Sequence, residues 1–178
     1  MKRFSILFFS FFIFSSCGIN GITNDFDELS DSEKMMVTQL SSFNNLNNDL
    51  IYEISGSQLL EELKSKDKSL VYIFANGCSS NLQNYLDQIE YYAEEYGYNL
   101  YLVMSGFSRL EATTSQSLNS PLFAISAEQY ETKKSRKYLN AFRKDLGYDD
   151  FVSEHGRHGA YMFFEGDSLV DLKYSLIP

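Results

Sequence analysis

Tryptophan is absent from this chain of 178 residues, cysteine and histidine occur twice each, and 15 basic residues face 24 acidic ones. The shortage of Lys and Arg excludes sequence-independent nucleic-acid binding, which relies on those side chains to neutralise phosphates. There is no Gly-x-Ser-x-Gly elbow for a serine triad and no glycine-rich loop to cradle a phosphate. Internal repeats are missing as well. No apolar run approaches the roughly 20 residues of a membrane-spanning helix, and the one at residues 6–14 is far shorter. What the chain does have is aromatic bulk, 13 Tyr and 15 Phe, which supplies core area and by itself identifies no ligand.

The N-terminus carries an address. Lys2 and Arg3 make a short basic start, residues 6–14 an apolar stretch, and Ser15-Ser16-Cys17 a small-residue site ending in cysteine. This resembles a bacterial lipoprotein signal with Phe14-Ser15-Ser16-Cys17 as the lipobox, phenylalanine standing where leucine is usual. The resemblance implies removal of residues 1–16, lipid on Cys17, and a place in the bacterial cell envelope, with Gly18 compatible with outer-membrane sorting and a face toward the periplasm or the surface. With Lys2 and Arg3 removed, 13 of the 15 basic residues remain against 24 acidic ones, a formal charge of −11. Cys78 is then the single free thiol in an oxidising compartment. It is an inert packed residue, a former of mixed disulfides, or a thiol that works with an external partner.

Residues 17–48, rich in Ser, Asn, Asp and Gly, read as a tether with a weakly helical patch near residues 32–40. The folded domain is expected over residues 49–178, the remaining length sufficing for one core. Leu50 to Ile54 reads as a strand, and Ser57 offers a cap for a helix through Leu59, Leu60 and Leu63. Leu70 to Phe74 is continuously apolar, as expected of a strand covered on both faces. A helix over residues 80–96 presents Leu82, Leu86, Ile89, Ala93 and Tyr96 on one side and ends at Gly97. Asn99 to Met104 completes a right-handed strand-helix-strand unit. Residues 105–120 read as a loop and 121–125 as a strand or extended segment. Ser126 with Gln129 predicts a capping box for a helix to Leu146 with Tyr138, Leu139 and Phe142 inward. Residues 160–164 and 169–174, joined by the turn at residues 165–168, predict a β-hairpin.

The run Ser69-Leu70-Val71-Tyr72-Ile73-Phe74-Ala75-Asn76-Gly77-Cys78-Ser79-Ser80-Asn81 delivers a cysteine from an apolar strand to the threshold of a helix. Helix N–H groups and the positive end of the dipole favour thiolate there. This corner resembles the active site of the thioredoxin superfamily, with Cys78 in the place of the attacking cysteine and Asn81 in the place of the second one. The resemblance covers about residues 50–104 and 159–174. It implies a thioredoxin-like α/β three-layer sandwich, a central mixed sheet with helices on both faces, and a helical insertion over about residues 105–158 before the C-terminal hairpin. It also implies that the loop before the hairpin lies against the cysteine, with Gly159 where the family has a cis-proline.

That loop, Glu154-His155-Gly156-Arg157-His158-Gly159, holds the only two histidines. Beside Cys78, an imidazole would take the thiol proton and stabilise thiolate, bringing a cysteine pKa from about 8.5 to roughly 3.5–7.5. His158 is the favoured partner and His155 the second choice. The competing reading has both histidines solvent-facing and Cys78 a small core residue. His155, His158 and Cys78 offer three metal donors without an evident fourth, so neither a metal nor another cofactor is expected. A peroxidase resembling the peroxiredoxins would carry threonine at Ala75. Lys133, Lys134, Arg136, Lys137, Arg143 and Lys144 crowd one predicted helix, either as a solvated face or as a dock for an acidic partner or anionic head groups. Two functions follow: a membrane-anchored monothiol thiol-disulfide oxidoreductase using Cys78, Asn81 and His158, or a non-catalytic module that binds another envelope protein.

Overall fold

In the computed structural model, residues 23–76 and 86–176 are described. The apolar run after Lys68 forms β3 (Ser69–Phe74), buried at every position. Side chains alternate along a strand, so Val71 and Ile73 enter one core while Leu70, Tyr72 and Phe74 enter another. A strand apolar on both faces requires a layer on each side, and that requirement organises the domain.

Six further strands complete the sheet: β1 (Val37–Gln39), β2 (Ile51–Ile54), β4 (Asn99–Met104), β5 (Leu122–Ile125), β6 (Tyr161–Glu165) and β7 (Ser168–Lys173). Their order is β1-β2-β5-β4-β3-β6-β7. The first five run parallel to one another, β6 lies antiparallel against β3, and β7 antiparallel against β6. On one face α2 (Gly56–Leu63), α5 (Ser135–Asp145) and α6 (Tyr148–His155) bury Leu59, Leu63, Tyr138, Phe142 and Phe151. On the other, α3 (Leu86–Tyr96) and α4 (Leu110–Thr114) bury Leu86, Ile89, Ala93 and Leu110. Each buried Leu, Ile or Phe among them contributes about 1.5–3 kcal/mol of apolar transfer. The protein is therefore an α/β sandwich with a mixed sheet and helices on both faces, and the hairpin falls where the sequence puts it.

Four expectations need correction. The packed chain begins well before Asp49: α1 (Asp31–Lys34), capped by Ser30 with Glu33, leads into β1, which pairs along β2, and Leu29 and Leu40 are buried. Polar composition misled here because β1 is an edge strand with its outward residues in solvent. The α2 cap is Ser55, two residues ahead of Ser57: its hydroxyl accepts from the Gln58 N–H, and its own N–H donates to the Gln58 side-chain oxygen. The insertion is more than helical, since β5 enters the sheet between β2 and β4. Finally, no helix runs from Ser126. Its hydroxyl does accept from the Gln129 N–H at 3.4 Å, but Glu131 adopts φ 50 and breaks the turn, so α5 starts at Ser135. The Tyr130 hydroxyl is held instead by the Gly56 N–H, 2.8 Å away, and donates to Asp145 at 2.6 Å. Burial and that carboxylate push the Tyr130 hydroxyl well above its ordinary pKa.

Candidate functional site

The carboxyl ends of β3 and β4 converge where open α/β sheets carry their reactive groups. Asn76, two residues past β3, is buried, with its side-chain amide donating to the Met104 sulfur at 3.1 Å and the Gly106 carbonyl at 3.3 Å. Thr113 of α4, also buried, donates its hydroxyl to the Asn76 side-chain oxygen at 2.9 Å. The Ser105 N–H reaches back to the Phe74 carbonyl, and the Tyr138 hydroxyl of α5 donates to the Ser105 carbonyl from the opposite layer. Phe107 N–H bonds the Asn24 carbonyl at 2.8 Å, tying the N-terminal segment to the same end. The chain is thus gripped immediately before Gly77 and Cys78. Asn76 and Thr113 escaped the sequence reading of the site; the available signal was a polar residue ending an otherwise unbroken apolar run, which a buried position must satisfy.

Cys78, Asn81 and the lipid-acceptor Cys17 lie outside the described residues. His158 and His155 lie within them. Tyr72 pairs with Tyr161 across β3 and β6, and the Ile73 N–H donates to the Ala160 carbonyl at 3.2 Å. Continuing this antiparallel register sets Gly159 and His158 at the end of the sheet from which β3 leads toward Cys78. His158 is exposed, its ring 6.4 Å from that of Tyr148, and among the described residues it makes no hydrogen bond. His155 is engaged differently, stacked on Phe151 at 4.2 Å with Nδ1 3.2 Å from the Phe151 carbonyl. Arg157 pairs with Asp171 of β7 at 2.7 Å. Among the described residues no three His, Cys, Asp or Glu side chains converge to hold a metal.

Gly159 has a steric reason. A Cβ built there would lie 2.2 Å from the Lys173 carbonyl oxygen and 2.6 Å from the Lys173 nitrogen. Any residue with a Cβ, proline included, would push β7 aside. The last strand closes this position to any side chain.

The basic residues of residues 133–144 disperse on folding. Lys133 pairs with Asp27 at 2.6 Å, and the Arg143 guanidinium sits 5.1 Å over the Tyr148 ring. Arg136, Lys137 and Lys144 remain exposed, without an ion pair among the described residues. No described helix is long and apolar enough to cross a membrane.

Fold and site define a class, an α/β sandwich whose mixed sheet presents a buried asparagine-threonine clamp at its carboxyl end. No protein-family model, no curated protein and no solved structure matches the chain.

Proposed function

We propose that this chain is a lipid-anchored envelope protein whose thioredoxin-like domain uses Cys78 as a monothiol in thiol-disulfide exchange. One observation carries the reading. The parallel β3-α3-β4 unit receives the β6–β7 hairpin antiparallel on β3, so the register sets the His158-Gly159 loop at the strand end that leads to the cysteine. β5 is an addition to that plan.

The chemistry balances without a cofactor. The Cys78 thiolate, its proton taken by His158, attacks one sulfur of a partner's disulfide; a mixed disulfide forms and the partner's other sulfur leaves as thiolate. An external thiol then attacks the mixed disulfide, and Cys78 leaves as thiolate. Asn81, in place of a resolving cysteine, donates a hydrogen bond to the sulfur at the helix start. The anchor on Cys17 confines the reaction to membrane-proximal disulfides.

The test is the alkylation rate of Cys78 against pH in full chain carrying Cys17→Ser, with and without His158→Ala. A thiolate appearing well below the ordinary cysteine pKa of about 8.5, and moving up without His158, is expected. Slow, pH-indifferent alkylation would mark a packed thiol and overturn the proposal.

The binding-module reading is favoured by one feature, the exposure of both histidines without an orienting carboxylate among the described residues. In that case Cys78→Ser leaves capture of an envelope partner intact, while Arg136→Glu with Lys137→Glu and Lys144→Glu abolishes it.

A further inference from the structure

A groove of about 930 Å³ runs between α3, Tyr161 at the start of β6 and the Ser175-Leu176 segment after β7, on the face opposite α5 and α6. Tyr91, Tyr92, Tyr96 and Tyr161 line it with Asp87 and Glu95, and no lysine or arginine is among its described lining residues. The tyrosines follow from helical spacing: Tyr92 and Tyr96 stand one turn apart with rings 4.5 Å from centre to centre, and Tyr91 stands one turn from Glu95, whose carboxylate holds the Tyr91 hydroxyl above its ordinary pKa. Tyr161 is fixed from below, stacked on Tyr72 at 4.4 Å, itself stacked on Phe74. Tyr91 and Tyr96 are 68% and 55% exposed, which is costly for aromatic surface without an occupant.

The rings at the far edge of this patch already hold cations from the chain itself. Lys68 lies 4.9 Å over Tyr98, and Lys173 lies 4.8 Å over Phe163. Tyr92 touches both of those rings, yet the groove side of the cluster has carboxylates where its edge has ammonium groups. Aromatic faces backed by negative charge attract alkylammonium ions and repel anions, whereas a neutral sugar uses such carboxylates only as hydrogen-bond acceptors and gains nothing from their net charge.

We propose that this groove binds an alkylammonium cation, of choline or polyamine type, against the tyrosine rings with Asp87 and Glu95 as counter-charges. The site stands independently of Cys78. It is tested by calorimetric titration of the full chain with choline, with spermidine, and with 3,3-dimethylbutan-1-ol, the uncharged isostere of choline. Either cation is expected to bind, choline marking a quaternary head group and spermidine a polyamine, with the neutral alcohol at least tenfold weaker than choline if choline is the ligand. Tyr91→Ala and Glu95→Gln, both at exposed positions of α3, should each weaken binding at least fivefold. Glu154→Gln, which removes the same charge on the opposite face, should leave it unchanged. Failure of both cations to bind, binding of choline no tighter than that of the alcohol, or equal loss in Glu154→Gln would each overturn the assignment, while spermidine binding without choline binding marks the polyamine.

Discussion

Replacing Gly159 with alanine asks one methyl group to occupy space that β7 already fills. The added Cβ would meet three backbone atoms of Lys173, oxygen at 2.2 Å, carbonyl carbon at 2.4 Å and nitrogen at 2.6 Å, where ordinary contact begins near 3.4 Å. Backbone cannot rotate away as a side-chain tip does, so the end of β7 must retreat by about 1 Å, a displacement that overpacking studies associate with about 1–3 kcal/mol. Lys173 pairs with Tyr161 at the end of the hairpin ladder, and one or two hydrogen bonds there weaken at about 1 kcal/mol each. Against this stands about 0.4–1 kcal/mol gained by stiffening the unfolded chain. The net expectation is a loss of about 2–4 kcal/mol, or roughly 5–15 °C in Tm for a chain of this size. Urea unfolding of the full chain reads it as a lower midpoint at unchanged slope. Gly166→Ala is the control: that glycine has φ 57 and no neighbour within 4 Å of the added atom, so only the left-handed backbone cost of about 1–2 kcal/mol applies. A Gly159→Ala stability within 0.5 kcal/mol of the parent, or above that of Gly166→Ala, would refute the steric account of this loop.

The asparagine clamp is equally direct: Asn76→Ala strands the buried Thr113 hydroxyl and should cost about 1–3 kcal/mol, while a cycle with Thr113→Val should show the pair to be strongly non-additive in urea unfolding. Tyr130→Phe removes the acceptor of the buried Gly56 N–H and the donor to Asp145, lowering stability by about 1–3 kcal/mol at neutral pH. Glu53 is pushed up from 4.5 to about 7 by burial first and the Glu128 charge second, while Gln39 donates to it at 2.7 Å. The native state therefore keeps a proton that the unfolded chain releases, and the contribution of Glu53 is most favourable below about pH 4.5, declines as pH rises to about 7, and is flat beyond. Glu53→Gln should remove that slope and stabilise the protein at pH 8 by about 1–2 kcal/mol, allowing for solvent screening of a half-buried group. An unchanged pH profile between 4.5 and 7 would exclude Glu53 as its source.

The strands that were legible in the sequence are those whose burial leaves no choice. Leu70 to Phe74 admits only a central strand, and residues 160–174 only a hairpin, because apolar runs joined by Gly166-Asp167 have one economical closure. β1 was hidden by its polar edge, whereas the four apolar residues of β5 fit a strand or an extended segment equally well by their brevity. The long helix expected from Ser126 failed for a tertiary reason: the cap bond forms, but Tyr130 is drawn to Gly56 and Asp145 across the domain, and Glu131 turns left-handed. α6 had signals of its own, glycines at both ends and Tyr148, Phe151, Val152 and His155 spaced for one face, and these outweigh the loop-like run of residues 154–159.

The same contrast governs the site. Pairing of β6 with β3 is a consequence of the hairpin's apolar face, and through it the sequence carries His158 to the end of the sheet at which β3 finishes. The clamp that fixes the approach to Cys78 is made of Asn76, Thr113, Met104 and the Gly106 carbonyl, drawn from segments about 30 residues apart or more, with no spacing rule linking them. A side-chain amide that must donate to two acceptors and accept from one donor at once tolerates little displacement, so the chain leaves Asn76 from a fixed point. As far as Asn76, position at this end of the sheet is set by buried hydrogen bonds. That arrangement makes the alkylation profile of Cys78 sensitive to Asn76→Ala as well as to His158→Ala. A clamp that serves the thiol shifts both the rate and its pH midpoint in Asn76→Ala, whereas a clamp that serves only stability shifts neither at temperatures well below unfolding.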